Sequence, residues 1–350
     1  MKIDANIGGG IDGTVGGNIR GVVEQVRAAG DCRLDGVWTT ETSRSPFLPL
    51  MLAAEHAPSL KVGTSVAVAF ARSPMTLAAE ANDLQAFSRG RFMLGIGSQV
   101  KAHVERRFNM PWSQPARRMA EYIAALRAIW ESWQQGTPLR FGGDFYQFSL
   151  MTPMFTPEPH RFGPPPILLA AVGPQMTSVA ATAADGLIVH GFTTEQYLRE
   201  VTLPPVRTAL ERASKDRAGF TVSYPGLVAT GESEQELVRA IGAVRQQIAF
   251  YGATPAYAPV LELHGWRDLH DELHRLSLLG EWTAMTTLID ADVLDAFAIV
   301  GTPEEAGSMI VRRYGELVDR FTLYTPYELG WRARARLVAA ASTMTSVGRR

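Results

Sequence analysis

Residues 61–98, KVGTSVAVAFARSPMTLAAEANDLQAFSRGRFMLGIGS, decide the fold. Val62–Ala69 is apolar and β-branched on both faces, the pattern of a parallel strand covered on both sides. Ser73-Pro74 then opens a helix, with Ser as N-cap and Pro at the first helical position. Leu77, Ala78, Ala81, Leu84 and Phe87 recur at helical spacing, and Arg89-Gly90 stops the helix. Arg91–Ile96 reads as a second buried strand, closed by Gly97-Ser98. Two buried parallel strands joined by a helix make a βαβ unit, and its ligand-facing edges are Ser65–Arg72 and Gly97–His103.

The same alternation runs outward in both directions. Strands are predicted at Ile3–Ile7, Gly36–Thr40, Ile167–Ala171, Gly186–His190, Thr221–Thr230 and Asp319–Tyr324, with helices between them. Thr194–Ser214 and Ser233–Phe250 read as two of those helices, and Thr302-Pro303-Glu304-Glu305 as the capped start of another. Two stretches break the pattern, near 137–163 and 251–290, the second with helical character around Asp268–Leu279. Eight strands with alternating helices predict an α/β fold, a (β/α)8 TIM barrel. The expected organisation is one domain over residues 1–345 with those two insertions.

Composition narrows the function classes. A formal net charge of −1 gives no electrostatic case for nucleic acid or an anionic membrane. The one cysteine, Cys32, excludes an intramolecular disulfide framework and a cysteine-based metal site. The opening MKIDANIGGG lacks a basic segment followed by an apolar one, and no run reaches membrane-spanning length, so a cytoplasmic protein is expected.

Gly8-Gly9-Gly10-Ile11-Asp12-Gly13 matches G-x-G-x-x-G after a strand, with Glu41 ending the next one. That fingerprint should open directly into a helix, however. Here Thr14-Val15-Gly16-Gly17 follows, and the spacing to Glu41 is several residues too long. A glycine-rich loop over a barrel mouth fits better than a dinucleotide fold.

Four segments together resemble the luciferase-like monooxygenase superfamily of flavin- and deazaflavin-dependent oxidoreductases. They are GTSVAVAFARSP (63–74), GRFMLGIGSQVKAHVERRF (90–108), PPILLAAVGPQM (165–176) with ADGLIVH (184–190), and VGTPEEA (300–306). The pattern is most similar to the branch that uses the deazaflavin coenzyme F420. The resemblance implies a barrel of the bacterial luciferase type and hydride transfer between coenzyme F420 and a small-molecule organic substrate. It also implies a homodimer, and a flavin or deazaflavin reductase as electron source. It places a non-proline cis peptide at Ser65-Val66 beneath the ring, and Gly97 and Ser98 beside the cofactor's tail. Ala171, Val172, Gly173 and Pro174, at a strand end and a helix N-terminus, become its phosphate site. His103 and His190 come to the ring's side of the mouth, and Glu41 to an acidic position near the ring. The proton of the reaction is expected on His103 or Glu41.

The departures carry weight too. The sugar-phosphate dehydrogenase branch follows that acid with histidine, where this chain has Thr42, and has glutamate where this chain has Val100. Both absences argue against that branch's substrate. His270 and His274 have metal-ligand spacing, but no HExxH arrangement and no third ligand accompany them, so no metal is expected. Trp112, Phe145, Tyr146, Phe148 and Phe155 are candidates for the substrate pocket or for packing. The rival functions are an FMN-dependent monooxygenase on the same barrel and a non-catalytic flavin-binding barrel.

Overall fold

The computed structural model describes residues 1–8 and 19–347. The glycine-rich segment therefore lies outside the described residues, apart from Gly8. Among the described residues eight parallel strands follow in chain order: β1 (Lys2–Asn6), β2 (Gly36–Thr39), β3 (Lys61–Thr64), β4 (Phe92–Gly97), β5 (Ile167–Ala171), β6 (Gly186–Val189), β7 (Thr221–Ala229) and β8 (Arg320–Tyr324). Helices alternate with them, and the fold is a (β/α)8 barrel, as the sequence predicts. None of the described helices is long and apolar enough to cross a membrane.

The chain divides into two compact units. One comprises Gly36–Ile188 and Val206–Thr221; the other comprises Met1–Asp35, Val189–Pro205 and Val222–Arg350. Within the first, β2, β3, β4 and β5 pair in sequence order, through Gly36↔Lys61, Val62↔Phe92 and Leu94↔Ile167. Within the second, β8 lies between β7 and β1, with Arg320 registered against both Ser223 and Lys2. A short strand, Ala298–Val300, extends the edge of β7. Only three residues long, it has too little pattern to be read from sequence.

The predicted continuous strand Val62–Ala69 is interrupted. β3 stops at Thr64, resumes as Ala67–Val68, and passes into a 3-10 turn at Ala69–Ala71. Its pairing with β4 changes from Gly63↔Met93 to Ala67↔Ile96, an offset of 30 residues falling to 29. One extra residue on β3 is a β-bulge, a device that re-aims a strand beside a site. Hydrophobicity does not reveal it, because the bulged residues are as apolar as their neighbours.

The helix predicted at Thr194–Ser214 is also irregular. It begins as Glu195–Tyr197, widens to a π-helical turn at Leu198–Thr202, and continues as Leu203–Arg212. Pro204 and Pro205 lack the N–H groups that a regular ladder would use there. The first insertion holds a hairpin, Phe141–Gly142 against Gln147–Phe148. Its turn is tied to the helix Pro115–Gln135 by Glu121, which accepts from the N–H groups of Asp144, Phe145 and Tyr146. The second insertion folds into helices Ala258–Leu263, Arg267–Leu279, Trp282–Thr287 and Ala291–Phe297.

A repeated device pins the N-terminal ends of the strands. Asp35 precedes β2, and its carboxylate accepts from the N–H of Ile3 on β1. Asp185 precedes β6 and accepts from Ile167 on β5; Asp319 precedes β8 and accepts from Val222 on β7. Each of the three aspartates returns its own N–H to the carbonyl of the same partner residue. Before β4 the corresponding residue is Arg91, whose guanidinium donates instead to the carbonyls of Ala54, Ala57 and Leu60. Deeper in the sheet, Asp4 on β1 is fully buried and takes a two-point ion pair from Arg320 on β8 at 2.6 and 2.7 Å. Such planar pairing satisfies both carboxylate oxygens at once.

Candidate active site

The C-terminal ends of the strands are where (β/α)8 enzymes carry their chemistry. In the first unit, the bulge of β3 is the centre of the arrangement. The Ser65-Val66 peptide is cis, as the family resemblance implied. Its flanks are held by the end of β2: Ser65 N–H donates to Thr39 O, Thr40 Oγ1 to Ser65 O, and Glu41 N–H to Val66 O. Thr64 Oγ1 donates across to Gly95 O at 2.6 Å. Glycine is required at position 95, where a Cβ would stand 1.8 Å from the Thr64 carbonyl oxygen. At Gly97 a Cβ would come within 2.9 Å of Val66 Cγ2, so the small residue at the end of β4 makes room for the bulge.

Glu41 is committed to this scaffold. Its Oε2 accepts from the N–H of Val68 at 2.7 Å and from Arg72 at 2.8 Å, while Oε1 accepts from Arg72 at 2.7 Å. Burial weakens the Arg72 charge, but the Glu41 carboxylate more than offsets it and holds the guanidinium's pKa above its ordinary value. Arg72 also lies over the Phe47 ring and 3.9 Å from Glu80, whose carboxyl pKa is raised by burial. With both oxygens bonded, Glu41 joins the bulge to the turn after it.

The other residues of the sequence prediction in this unit lie at the ends of β4 and β5. Ser98 is half-buried, with its hydroxyl on Gln99 O, and Gln99 takes a left-handed φ of 62° that turns the chain into the short helix Lys101–Arg106. His103 on that helix is exposed, and its ring makes no hydrogen bond among the described residues. After β5, Ala171 is buried and Val172 exposed; Gly173, at φ 78°, caps the helix Pro174–Ala183. No side chain caps this helix, its first turn holds no acidic residue, and a Cβ at Gly173 would meet nothing. The start of that helix is an open set of N–H donors at the positive end of a dipole, suited to an anionic group. The bulge, the small Gly97 and this open helix start fit a planar ring with a phosphate-bearing tail.

In the second unit, His190 follows β6 directly and sits in a cluster of phenols. Its Nδ1 accepts from the N–H of Phe192 at 3.1 Å. A backbone amide only donates, so the ring proton is on Nε2, which is 3.0 Å from Tyr257 Oη. The two rings stack at 4.3 Å, and Tyr251 meets His190 edge-on at 5.0 Å. Tyr251 and Tyr324 share a hydrogen bond at 2.9 Å. Burial pulls His190 down to about 4 and pushes the Tyr257 phenol up to about 12, so both are neutral at physiological pH. The sequence reading names His190 and does not name these tyrosines. Tyr324 could have been found as the last residue of a barrel strand, whereas Tyr257 lies in an insertion with no periodicity.

His270 and His274 have a different role from their metal-like spacing. Their Nδ1 atoms lie 2.7 and 2.9 Å from the carbonyls of Gly252 and Ala253, at the C-terminus of the helix Glu234–Gly252. They cap that helix, and no group of three metal-ligating side chains exists among the described residues. Of the aromatic candidates, Trp112 packs edge-on to Phe70, Tyr146 edge-on to Tyr122, and Phe148 against Phe141. Phe145 is half-buried beside the Glu121 anchor, and Phe155 is 74% exposed.

The family model for luciferase-like monooxygenase matches residues 3–320. The chain belongs to the luciferase-like monooxygenase family. An uncharacterized protein of Mycobacterium tuberculosis is 50% identical over 310 residues, covering 89% of this chain and 91% of that protein. A 5,10-methylenetetrahydromethanopterin reductase of Archaeoglobus fulgidus is 28% identical over 302 residues, covering 83% and 84%. Among solved structures, the coenzyme F420 dependent tetrahydromethanopterin reductase from Methanopyrus kandleri superposes with a TM-score of 0.77 at 19% identity, covering 96% of each chain. Members of the luciferase-like family with described activities are oxidoreductases or monooxygenases, which makes a general oxidoreductase role the common ground for this chain.

Proposed function

We propose that the protein is a deazaflavin-dependent oxidoreductase that moves a hydride between coenzyme F420 and an organic substrate. The observation that carries this reading is the bulge at Ser65-Val66 with the open helix start at Gly173-Pro174, in a chain similar over most of its length to a methylenetetrahydromethanopterin reductase. Ser65, Val66 and Gly97 would hold the ring, with Ala171, Val172, Gly173 and Pro174 taking the phosphate of the tail and Ser98 lying beside it. When bound, a deazaflavin supplies two-electron hydride chemistry and reacts poorly with oxygen. The residues of this chain bind, orient and exclude water. Glu41 and Arg72 fix the shape of the bulge, and His103, exposed with a free imidazole, is the better placed of the two candidates to move the proton.

The reading is tested by titrating the purified protein with coenzyme F420 and with FMN, following absorbance and fluorescence. Saturable binding of coenzyme F420, weakened several-fold in Gln175→Glu, is the expected result, because the new carboxylate opposes a phosphate at the helix start. Tight FMN binding with oxygen consumption would favour a monooxygenase instead, the activity in the family's own description. Binding of either cofactor with no turnover of any substrate would favour the non-catalytic barrel.

A further inference from the structure

Among the described residues, the cluster around His190 contains phenol protons that the fold itself does not use, and the geometry identifies one of them. His190 Nδ1 is occupied as an acceptor by the Phe192 amide, so Nε2 must carry the proton and give it to Tyr257 Oη. Tyr257 is then the acceptor of that bond, and its own O–H proton has no partner among the described residues. Tyr251 and Tyr324 share a single hydrogen bond, which leaves one proton of that pair without an acceptor among the described residues as well, so a Tyr251 variant is the control for the Tyr257 assignment. Tyr257 keeps its ring packed on His190 and is only partly buried. Buried or half-buried hydroxyls normally find partners, and one left over against the residue that directly follows a barrel strand points to a ligand.

We propose that Tyr257 is a substrate-binding residue, the hydrogen-bond donor to the oxygen or nitrogen of a carbonyl or imine substrate, and that His190 is the positioning residue that aims it. The proposal rests on the hydride-transfer reading above. In the reducing direction, a hydride of the kind that reading supplies adds to the substrate carbon, and the C=O or C=N π pair moves to the heteroatom. The phenol hydrogen-bonds to that atom as charge gathers there and keeps its own proton, the proton that completes the reduction being the one the hydride-transfer reading already supplies. A donor preorganised in this way stabilises charge without reorganising during the reaction. A phenol raised to about 12 by burial stays protonated at neutral pH, so the hydrogen bond is kept. The assignment also gives the second insertion, where Tyr257 lies, a direct part in choosing polar substrates over hydrocarbons.

The probe is 4-dimethylaminobenzaldehyde, whose absorption band moves to longer wavelength when its carbonyl oxygen accepts a hydrogen bond. It is titrated into the protein both without cofactor and with oxidised coenzyme F420. The expected result is a red-shifted band with wild-type protein, lost in Tyr257→Phe and kept in Tyr251→Phe. His190→Leu should lose the shift, and His190→Gln should restore it, because the Gln amide can still donate toward Tyr257. Thermal midpoints of the four variants establish that each is folded. A shift that survives Tyr257→Phe, or no shift with wild-type protein, overturns the proposal. Failure to bind coenzyme F420 while the Tyr257-dependent shift persists overturns only the deazaflavin reading.

Discussion

At the N-terminal ends of the strands, Asp35, Asp185 and Asp319 each close a reciprocal pair of hydrogen bonds with a neighbouring strand, and Arg91 caps three carbonyls. At the C-terminal ends the polar groups are less completely matched. The helix start at Gly173-Pro174 has no side-chain cap, the His103 ring is free, and the Tyr257 proton has no partner among the described residues. The difference separates groups that hold the fold from groups available to a ligand. Glu41 and Arg72 are instructive because they stand at the functional end but follow the N-terminal rule, paired with each other through both carboxylate oxygens. Position along a strand suggests a role, and hydrogen-bond accounting decides it.

The comparison can be broken most severely at Arg320. Arg320→Met should leave the Asp4 carboxylate buried without its guanidinium and cost ~3–5 kcal/mol, the range for removing one partner of a buried pair. Urea unfolding measures it, and cofactor binding by the remaining folded protein should be unchanged. A cost below about 1 kcal/mol would mean that the pair does not hold the sheet.

His190 provides a test at the other end, through pH. Its folded pKa is about 4, below the ordinary 6.5, because burial disfavours the imidazolium. Above pH 6.5 both states are neutral there and the group has no effect on stability. Between 6.5 and about 4 the unfolded chain takes up a proton that the folded chain refuses, so stability falls as pH falls. The slope approaches ~1.4 kcal/mol per pH unit in that window. His190→Gln should show a shallower dependence than wild type over that range, in denaturation curves collected at several pH values. Identical curves would mean that the ring charges freely.

The barrel was legible because its strands are covered on both faces and read as apolar runs, while amphipathic helices mark the intervals between them. Asp35, Asp185 and Asp319 stood in plain view before β2, β6 and β8, yet a single Asp before a strand has no special pattern until the pairing is known. The bulge was legible only through family resemblance, since Val62–Ala69 looks like any buried strand. Tyr257 was not legible at all. Its importance comes from a histidine 67 residues earlier in the chain and from the tautomer that a backbone amide imposes there. Glu41 stood out in the sequence as an acid at a strand end, but its partner Arg72 lies 31 residues away and sequence gives no sign of the match.

A milder disruption of the N-terminal rule is Asp185→Ala. It removes the acceptor for the Ile167 N–H and the partner of Arg127, and an amide left unsatisfied costs ~1–3 kcal/mol. The loss should appear as a lower unfolding midpoint with cofactor affinity preserved.

The smallest effect on stability belongs to His103→Ala. An exposed ring with no hydrogen bond contributes little to the fold, and substitution should change stability by less than ~0.5 kcal/mol. If the imidazole moves the proton at the mouth, turnover should fall while the unfolding midpoint stays in place, the reverse of what Asp185→Ala does. Loss of stability in His103→Ala would show that the ring packs like a scaffold group and would remove it from the proton's path. Unchanged turnover with unchanged stability would do the same by a different route. The two variants together ask whether the ends of the strands differ in what they contribute, and each is read against the other in the same two measurements.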